Sequence, residues 1–377
     1  MTECPSITQA AILVAQNEPL VVGTIELPQE LGVGQVLVEL QISGVCGSQL
    51  GEIDGVKGPD RYLPHLMGHE GFAQVLAVGP GVKHVQVNDS VVLHWRPGAG
   101  IQADPPRYVW QGQSLNAGWV TTFNRHAVVS ENRCTKVPSN TDPDAAALFG
   151  CAVTTGFGVV ENNAKLKMGE AVVVFGAGGI GLNIVQAAAM VTAWPIIAVD
   201  RFDNRLDLAK QLGASHCINS STLDAEAAIV EALSGQSLDV FIDNTGLPQI
   251  IEIGYRLSHA HGRVILVGVP RHGNNLSIYS LPLHFGKQLT GSQGGETHPQ
   301  HDIARYLRLH QHGKLKLDQL VGDSLLAVMA NGLTSGQAMI PTAALACCMA
   351  VLSVKSIGNT TLSADSLRSS MQEQLLQ

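Results

Sequence analysis

Residues 171–181 join a buried-strand pattern to a glycine-rich turn, and this constrains the possible folds more than any other feature. The run AVVVF is continuously apolar and is followed by Gly176, Gly178, Gly179 and Gly181, which lead into an alanine-rich helical stretch. A fully apolar strand is typical of a parallel sheet covered on both faces. In a strand–turn–helix unit of this kind, Gly178 lets a phosphate approach the backbone and Gly181 lets the helix pack on the strand. A plain tight turn explains the glycines equally well.

Asp200 ends the next apolar run, PIIAVD. It follows the glycine turn by about twenty residues, the distance at which a carboxylate can accept hydrogen bonds from ribose hydroxyls and repel a 2′-phosphate. This predicts NAD rather than NADP, with Arg205 also at the cofactor. Arg201 and Arg205 lie close enough in sequence to pair with a 2′-phosphate instead. The alternative role for Asp200 is a surface helix N-cap.

The alternation of strands and helices continues beyond Asp200 and indicates a doubly wound parallel sheet. The runs DVFIDNTG and GRVILVGVP alternate with helical stretches. Earlier in the chain, ILVA, LVVGTIEL and QVLVELQIS are β-type and favour a mostly-β region. A long loop rich in glycine, proline and aromatic residues is predicted over residues 95–113. With 377 residues, two domains are expected.

Composition excludes several partners. The formal net charge of -8 leaves no basic face for a nucleic acid or an anionic membrane. The first residues lack a signal-peptide pattern, and the longest apolar run, near residues 343–352, is too short to span a bilayer. The seven cysteines show no repeated disulfide spacing, which suits a reducing compartment. A cytoplasmic protein with a small-molecule substrate is expected.

The strongest chemical signal outside the parallel sheet is a set of three residues. Cys46, His69 and Cys151 occur in the segments VCGS, GHEG and FGCAV. A catalytic zinc takes such a set, two thiolates and an imidazole, and keeps a fourth position open. Spacing alone does not decide the matter, because single buried cysteines are commonly inert core residues.

The order VCGS, GHEG, FGCAVTTGFG, VVVFGAGGIG and VD resembles the zinc-dependent alcohol dehydrogenase family of the medium-chain dehydrogenase/reductase superfamily. The resemblance extends over roughly residues 35–321. It implies an α/β fold with a mostly-β GroES-like catalytic domain over residues 1–153 and a Rossmann NAD-binding domain over residues 154–295. Residues 296–377 would return to the catalytic domain, with an atypical tail from about residue 322.

The resemblance also implies roles for single residues. Cys46, His69 and Cys151 would bind zinc, Glu70 would approach or exchange onto the metal, and Ser48 would contact the substrate oxygen and pass on its proton. The residues lining the nicotinamide pocket would be Thr155, Ile180, Val267 and Val269. Trp95 would form a wall of the substrate pocket, its alternative role being an ordinary core aromatic. The implied reaction is hydride transfer between an alcohol and NAD, giving an aldehyde or ketone.

Apart from its atypical tail, the chain departs from the family pattern in three places. The loop after Trp95 has no cysteine where many relatives hold a structural zinc, so one catalytic zinc per chain is expected. Gln49 replaces an acidic residue that often supports the zinc-bound histidine. Gly51 replaces a histidine that completes a proton relay in some relatives, so water or a ribose hydroxyl would complete it here.

The sequence does not determine the substrate class or the oligomeric state. A polar or sugar-like alcohol suits a cleft lined by Trp95 and its loop neighbours, although these residues are equally compatible with a solvent-facing loop; the neighbours are His94, Arg107, Tyr108 and Trp110. In relatives a strand near residues 276–289 pairs with its counterpart in a second subunit, and the β character of this segment is suitable, so the resemblance implies a homodimer or homotetramer. The alternatives for the whole chain are a zinc-free NADPH reductase acting on quinones or enones, and a catalytically silent nucleotide-binding protein.

Overall fold

The structure is a computed structural model that describes residues 4–321. Within this range the strands are β1 (Ile7–Leu13), β2 (Val21–Glu26), β3 (Gln35–Ser43), β4 (His65–Leu66), β5 (Gly71–Val78), β6 (Ser90–Leu93), β7 (Tyr108–Trp110), β8 (Gln113–Leu115), β9 (His126–Ser130), β10 (Cys134–Val137), β11 (Val172–Phe175), β12 (Ile196–Asp200), β13 (His216–Asn219), β14 (Leu238–Asp243), β15 (Ser258–Leu266) and β16 (Gln288–Gly291). The α-helices are α1 (Gly47–Ile53), α2 (Pro143–Leu148), α3 (Ala152–Gly158), α4 (Gly179–Met190), α5 (Asp203–Gln211), α6 (Ala225–Leu233), α7 (Pro248–Leu257), α8 (Pro299–Gln311) and α9 (Asp318–Val321). The tail predicted from about residue 322 lies outside the described residues.

The N-terminal part of the chain forms two antiparallel sheets, with strand orders β4-β1-β2-β7-β8 and β10-β6-β5-β3-β9. Strand β3 lies between two partners in the second sheet, with Val38 opposite Val75 of β5 and Ala127 of β9. All three side chains are fully buried. The alternating apolar pattern of QVLVELQIS therefore places a core face at the centre of the sheet, as predicted for a mostly-β region.

The predicted loop over residues 95–113 contains a strand that the sequence did not reveal. Residues 108–110 form β7, which pairs with β8 and, through Val109, with β2. Tyr108 is fully buried, and its hydroxyl accepts the N–H of Val128 at 2.8 Å. A three-residue strand has too little alternation to be read from sequence, and its pairing partners are distant in the chain.

The third sheet is entirely parallel, with the order β13-β12-β11-β14-β15-β16. Numbered from β11, this is the 3-2-1-4-5-6 order of a Rossmann fold, which confirms the doubly wound sheet. The order reverses between β11 and β14, and ligands bind such sheets in the crevice at the carboxyl ends of the strands flanking that point. The glycine turn after β11 and Asp200 at the end of β12 both lie at this edge.

The segment over residues 276–289 differs from the predicted strand. Residues 274–280 have no strand pairing, Leu281–Phe285 forms a 3-10 turn, and β16 begins only at Gln288. Several large apolar side chains of the segment are exposed, including Tyr279 at 70% and Phe285 at 67%. A strand at this position would need a pairing partner, and the described residues of the chain offer none.

Helix α8, which follows the parallel sheet in the chain, packs against α3 and against β10 of the second antiparallel sheet. Its Tyr306 ring lies 4.9 Å from that of Phe157 on α3. None of the helices within residues 4–321 combines the length and hydropathy that crossing a bilayer requires.

Candidate active site

Three separate connections bring Cys46, His69 and Cys151 together. Cys46 precedes α1, His69 lies between β4 and β5, and Cys151 precedes α3. The possible ligand atoms of the three side chains lie within 4.8 Å of one another. The Nε2 atom of His69 is buried and has no hydrogen-bond partner among the described residues. Two sulfurs and a free imidazole nitrogen are a donor set that zinc prefers.

Two glycines next to the ligands allow this close approach. Gly68 has a φ of +90°, and a Cβ there would lie 2.2 Å from Thr122 Oγ1. At Gly150, a Cβ would lie 2.3 Å from the carbonyl oxygen of Leu93. The glycines of GHEG and FGC therefore hold His69 and Cys151 against the antiparallel sheet, where a larger residue would force the backbone away.

Electrostatics at the cluster fit a metal site. The Cys151 hydrogen bond, helped by His69 and Ser48, holds the pKa of the Cys46 thiol well below its usual value, although burial acts in the opposite direction. The same hydrogen bond, together with burial, raises the pKa of Cys151 well above its usual value. Burial lowers the pKa of His69, but the adjacent Cys46 thiolate and Glu70 carboxylate outweigh it and raise that pKa. Without a cation, the cluster therefore keeps protons that a metal would displace.

Glu70 follows His69 in sequence and interacts electrostatically with Cys46 and His69. It is 4% exposed, and one of its oxygens, Oε2, is buried without a hydrogen-bond partner in the described structure. Burial, and then the negative charge of Cys46, raise the pKa of the carboxyl group to about 8. A bound cation would favour the ionised carboxylate instead, so this residue suits a position near a metal.

Ser48 and Trp95 both contact cysteines of the cluster. Ser48 is the second residue of α1 and hydrogen bonds to Cys46. Trp95 is partly exposed and forms a side-chain hydrogen bond with Cys151. Its ring also packs closely against Gly294. A partly exposed indole bonded to Cys151 is better placed to form a pocket wall than an ordinary core aromatic is.

The glycine turn forms an open cradle at the start of α4. A Cβ on Gly178 or Gly179 would meet no atom within 4 Å, whereas one on Gly181 would lie 1.9 Å from the Gly176 carbonyl oxygen. Gly176 itself has a φ of +93°. The first and last glycines are thus required by the turn and the helix packing, and the middle pair leaves space in front of the unpaired N–H groups of the helix.

Asp200 lies next to this cradle and is 5% exposed. Its Oδ2 accepts the N–H of Ala177 at 2.7 Å, and its Oδ1 accepts the N–H of Arg201 at 2.7 Å. Arg205 Nη1 lies 3.6 Å from Oδ2, and its guanidinium stacks on Phe202. The carboxylate is therefore held at the carboxyl end of β12 by backbone donors, and it does not cap α5, whose N-cap is Phe202.

A cleft of about 380 Å³ separates α1 from the carboxyl ends of the parallel strands. Gly47 and Gly51 line it on the α1 side, and Arg205, Val269 and Arg271 line it on the other. Among the four residues predicted to line the nicotinamide pocket, Val269 alone lines this cleft. Their positions differ: Thr155 is buried on α3, and Ile180 and Val267 are partly buried against the core.

Sequence reasoning missed the position of Arg271 and the packing of two loop residues. Arg271 follows β15, and the carboxyl end of a parallel strand is the signal that could have found it. His94 is 1% exposed and bonds through both ring nitrogens, to the Arg96 carbonyl at 2.7 Å and to the Thr135 hydroxyl at 2.9 Å. His94 and Tyr108 are core residues, so neither a cleft nor a solvent-facing loop describes them.

The parallel sheet with its glycine turn, and the cluster of two thiols and an imidazole, are together typical of a nucleotide-dependent oxidoreductase that uses a metal. Comparison with known proteins identifies the family within this class. The family of Alcohol dehydrogenase GroES-like domains matches residues 32–139, and the family of Zinc-binding dehydrogenases matches residues 179–311.

Relatives cover most of the chain. It is 30% identical to the S-(hydroxymethyl)glutathione dehydrogenase of Synechocystis sp., over 83% of this chain and 92% of that protein. It is 31% identical to the NDMA-dependent alcohol dehydrogenase of Amycolatopsis methanolica, over 83% and 91%. The crystal structure of benzyl alcohol dehydrogenase from Acinetobacter calcoaceticus is similar with a TM-score of 0.75 and 30% identity, over 83% and 91%.

The chain belongs to the zinc-dependent alcohol dehydrogenase family of the medium-chain dehydrogenases/reductases. It is therefore an oxidoreductase of the NAD-linked alcohol dehydrogenase type, acting on an alcohol or carbonyl compound. The membership favours this activity over the zinc-free reductase and the catalytically silent protein, and it agrees with the GroES-like and Rossmann parts of the fold.

Proposed function

We propose that Cys46, His69 and Cys151 hold one catalytic zinc per chain and that the enzyme transfers hydride between an alcohol and NAD. The observation that carries the proposal is the convergence of the three possible ligand atoms within 4.8 Å, with Gly47, the neighbour of Cys46, lining the cleft between α1 and the parallel sheet. No second group of three or more such ligands occurs within residues 4–321, and the loop over residues 95–113 has no cysteine. The division into residues 1–153, 154–295 and 296–377 is part of the same proposal.

Zinc at this site would act as a Lewis acid on the oxygen of the alcohol or carbonyl compound. The residues around it have separate tasks. Ser48, next to the ligand Cys46, accepts the proton of the alcohol and returns it in the reverse direction. Gly51 has no side chain to continue the path, so water in the cleft or a ribose hydroxyl carries the proton to solvent. Trp95 excludes water from one side of the substrate.

NAD is held in this proposal by the cradle and by Asp200. The open space at Gly178 and Gly179 receives the pyrophosphate at the start of α4, where helix N–H groups are unpaired. The remaining lone pairs of the Asp200 carboxylate accept the ribose hydroxyls and repel a 2′-phosphate. The nicotinamide pocket of this proposal is lined by Thr155, Ile180, Val267 and Val269, as the family resemblance implies, and Val269 is the one of them that lines the cleft. Arg205 and Arg271 supply positive charge along the cleft.

The substrate class is framed by the relatives, which are named for S-(hydroxymethyl)glutathione and for benzyl alcohol. Trp95 provides an aromatic wall against which an aromatic alcohol can pack, while a polar or sugar-like alcohol is the expectation from the loop sequence. An NAD-coupled assay with benzyl alcohol, S-(hydroxymethyl)glutathione and a sugar alcohol distinguishes these classes. The enzyme is proposed to act in the cytoplasm as a homodimer or homotetramer.

The proposal is tested by zinc content per chain, measured by mass spectrometry of metals on the purified protein. We expect one zinc in the parent and loss of zinc and of activity in Cys46→Ser and Cys151→Ser. Cys134→Ser is the matched control, because Cys134 is buried but lies outside the cluster. A folded, zinc-supplemented parent without zinc contradicts the proposal, and two zincs per chain contradict the single site.

A further inference from the structure

The side chain of Gln49 hydrogen bonds to the backbone of Cys46 and lies beside the ring of His69, which are two of the three proposed zinc ligands. It occupies the third position of α1 and is 1% exposed. Its Oε1 accepts the N–H of Cys46 at 2.6 Å, and its Nε2 lies 3.2 Å from His69 Nδ1. The other ring nitrogen of His69, Nε2, is buried without a hydrogen-bond partner in the described residues. His69 Nε2 is therefore the nitrogen that is free to bind a metal.

Metal binding imposes a tautomer on His69. A ring nitrogen that binds a metal uses its lone pair, so a neutral ring must then carry its proton on Nδ1. The N–H of Cys46 and the Nδ1–H of His69 would both need an acceptor at residue 49. A primary amide has one acceptor end and one donor end. Whichever way the Gln49 amide is turned, one of these two N–H groups faces an NH₂ group.

The amide orientation in the structure fits the opposite tautomer. An NH₂ group donating to Nδ1 requires that Nδ1 carry no proton, and in the neutral ring the proton is then on Nε2, the atom facing the cluster. Binding a metal moves this proton and leaves one buried N–H without a partner. Two carboxylate oxygens at the same position would accept both N–H groups, because a carboxylate has no donor end.

We propose that Gln49 is a positioning residue that favours the metal-free tautomer of His69 and so makes the zinc weakly held and exchangeable. The inference rests on the proposed function, because it assumes that Cys46, His69 and Cys151 hold the zinc. Residues that hydrogen bond to a metal ligand typically change metal affinity by about 10- to 100-fold. A carboxylate of the same length, in Gln49→Glu, is expected to tighten zinc binding by about that factor.

The test is the zinc dissociation constant, measured by competition with a chromophoric chelator on the whole chain. Gln49→Glu should bind about 10- to 100-fold more tightly than the parent and lose zinc to the chelator more slowly. Gln113→Glu, at an exposed glutamine outside the cluster, adds the same charge and should leave the constant unchanged. Equal or weaker binding by Gln49→Glu overturns the inference.

A second background separates hydrogen bonding from simple charge attraction. In His69→Ala, Gln49→Glu has no ring to orient, so its gain in zinc affinity should disappear. A gain that persists there shows that the new charge alone attracts the metal, which overturns the inference. Gln49→Asp offers two acceptors on a shorter side chain and replaces Gln49→Glu if that variant does not fold. The affinity comparison can be repeated with Co²⁺ in place of zinc, because the thiolate-to-cobalt absorption band reports metal binding directly.

Different experimental results would contradict the inference about Gln49 and the proposed function. If the parent binds zinc no better than Cys46→Ser does, the proposed metal site is wrong and the role of Gln49 is wrong with it. If the parent binds zinc at the site but Gln49→Glu changes nothing, the proposed function stands and only the inference is overturned.

Discussion

Single residues of this protein owe their chemistry to the surroundings that folding provides. His94 and Trp95 are adjacent in sequence, yet both ring nitrogens of His94 bond to its surroundings in the core, while Trp95 bonds to Cys151 of the cluster. Asp200 is held by backbone donors, which fixes its charge next to the phosphate cradle. The identity of a residue sets what it can do, and its contacts determine which of these possibilities it uses.

The pH dependence of stability should reflect His94. Burial lowers the pKa of this histidine to about 4, and the nearby Arg133 charge also lowers it. The unfolded chain takes up a proton near pH 6.5, but the folded chain does not. Stability from the neutral ring is thus fully present above about pH 6.5 and is lost as the pH falls towards 4, by up to roughly 3 kcal/mol.

His94→Gln should flatten this acid-side loss, because glutamine does not titrate. The midpoint of thermal unfolding, recorded from pH 7 down to about pH 4, measures the effect against the parent. His84→Gln, at an exposed histidine, is the control and should follow the parent curve. An unchanged slope in His94→Gln would show that other groups cause the acid sensitivity.

Cofactor preference should depend on the charge of Asp200. Asp200→Asn removes the repulsion of a 2′-phosphate and leaves Arg205, 3.6 Å from the Asp200 carboxylate, free to pair with it. The ratio of kcat/KM for NAD over NADP should fall by about tenfold or more, equivalent to about 1.4 kcal/mol. Adding Arg205→Ala should reverse part of the gain for NADP. Asp207→Asn is the control, and an unchanged ratio in Asp200→Asn would remove Asp200 from the ribose site.

At the scale of elements, the turn between β11 and α4 contains some glycines that the fold requires and others that leave space for the cofactor. Gly176 has a positive φ, Gly181 packs against the Gly176 carbonyl oxygen, and the middle glycines face open space. Replacing glycine by alanine should therefore mainly lower stability at one position of this turn and mainly weaken cofactor binding at another.

Gly181→Ala should destabilise the protein, because the added Cβ would lie 1.9 Å from the Gly176 carbonyl oxygen. Overpacking of this kind typically costs about 1–3 kcal/mol, visible as a lower thermal midpoint. Gly178→Ala should keep the parent's midpoint, while its Cβ occupies the space of the pyrophosphate and raises the dissociation constant of NADH about tenfold, or ~1.4 kcal/mol. NADH fluorescence measures the second effect. Normal NADH binding by a folded Gly178→Ala would contradict the placement of the phosphates.

For the whole molecule, the segment over residues 276–289 suggests where two copies meet. Its apolar side chains Tyr279, Leu281 and Phe285 are exposed by 70%, 45% and 67% beside the edge strand β16. Large apolar side chains exposed close together in sequence are a candidate for a protein–protein interface.

Tyr279→Glu combined with Phe285→Glu should convert the proposed dimer to monomers, because burying two charges in an apolar interface is unfavourable. Analytical ultracentrifugation at several concentrations measures the change. Met168→Glu, at a methionine that is 81% exposed elsewhere, is the control. A double variant that sediments like the parent would exclude this segment as the interface.

The sequence by itself determined the parallel sheet, because continuous apolar runs, glycines and Asp200 follow one another at fixed separations along a local strand–turn–helix pattern. It also supplied the three metal-binding candidates as residue types, and the resemblance grouped them. Only the tertiary structure decided that Cys46, His69 and Cys151 converge, that His94 and Tyr108 are core residues, and that residues 276–280 are unpaired. The physical reason is that strand pairing, burial and metal geometry join residues far apart in the chain, whereas sequence patterns report on neighbours.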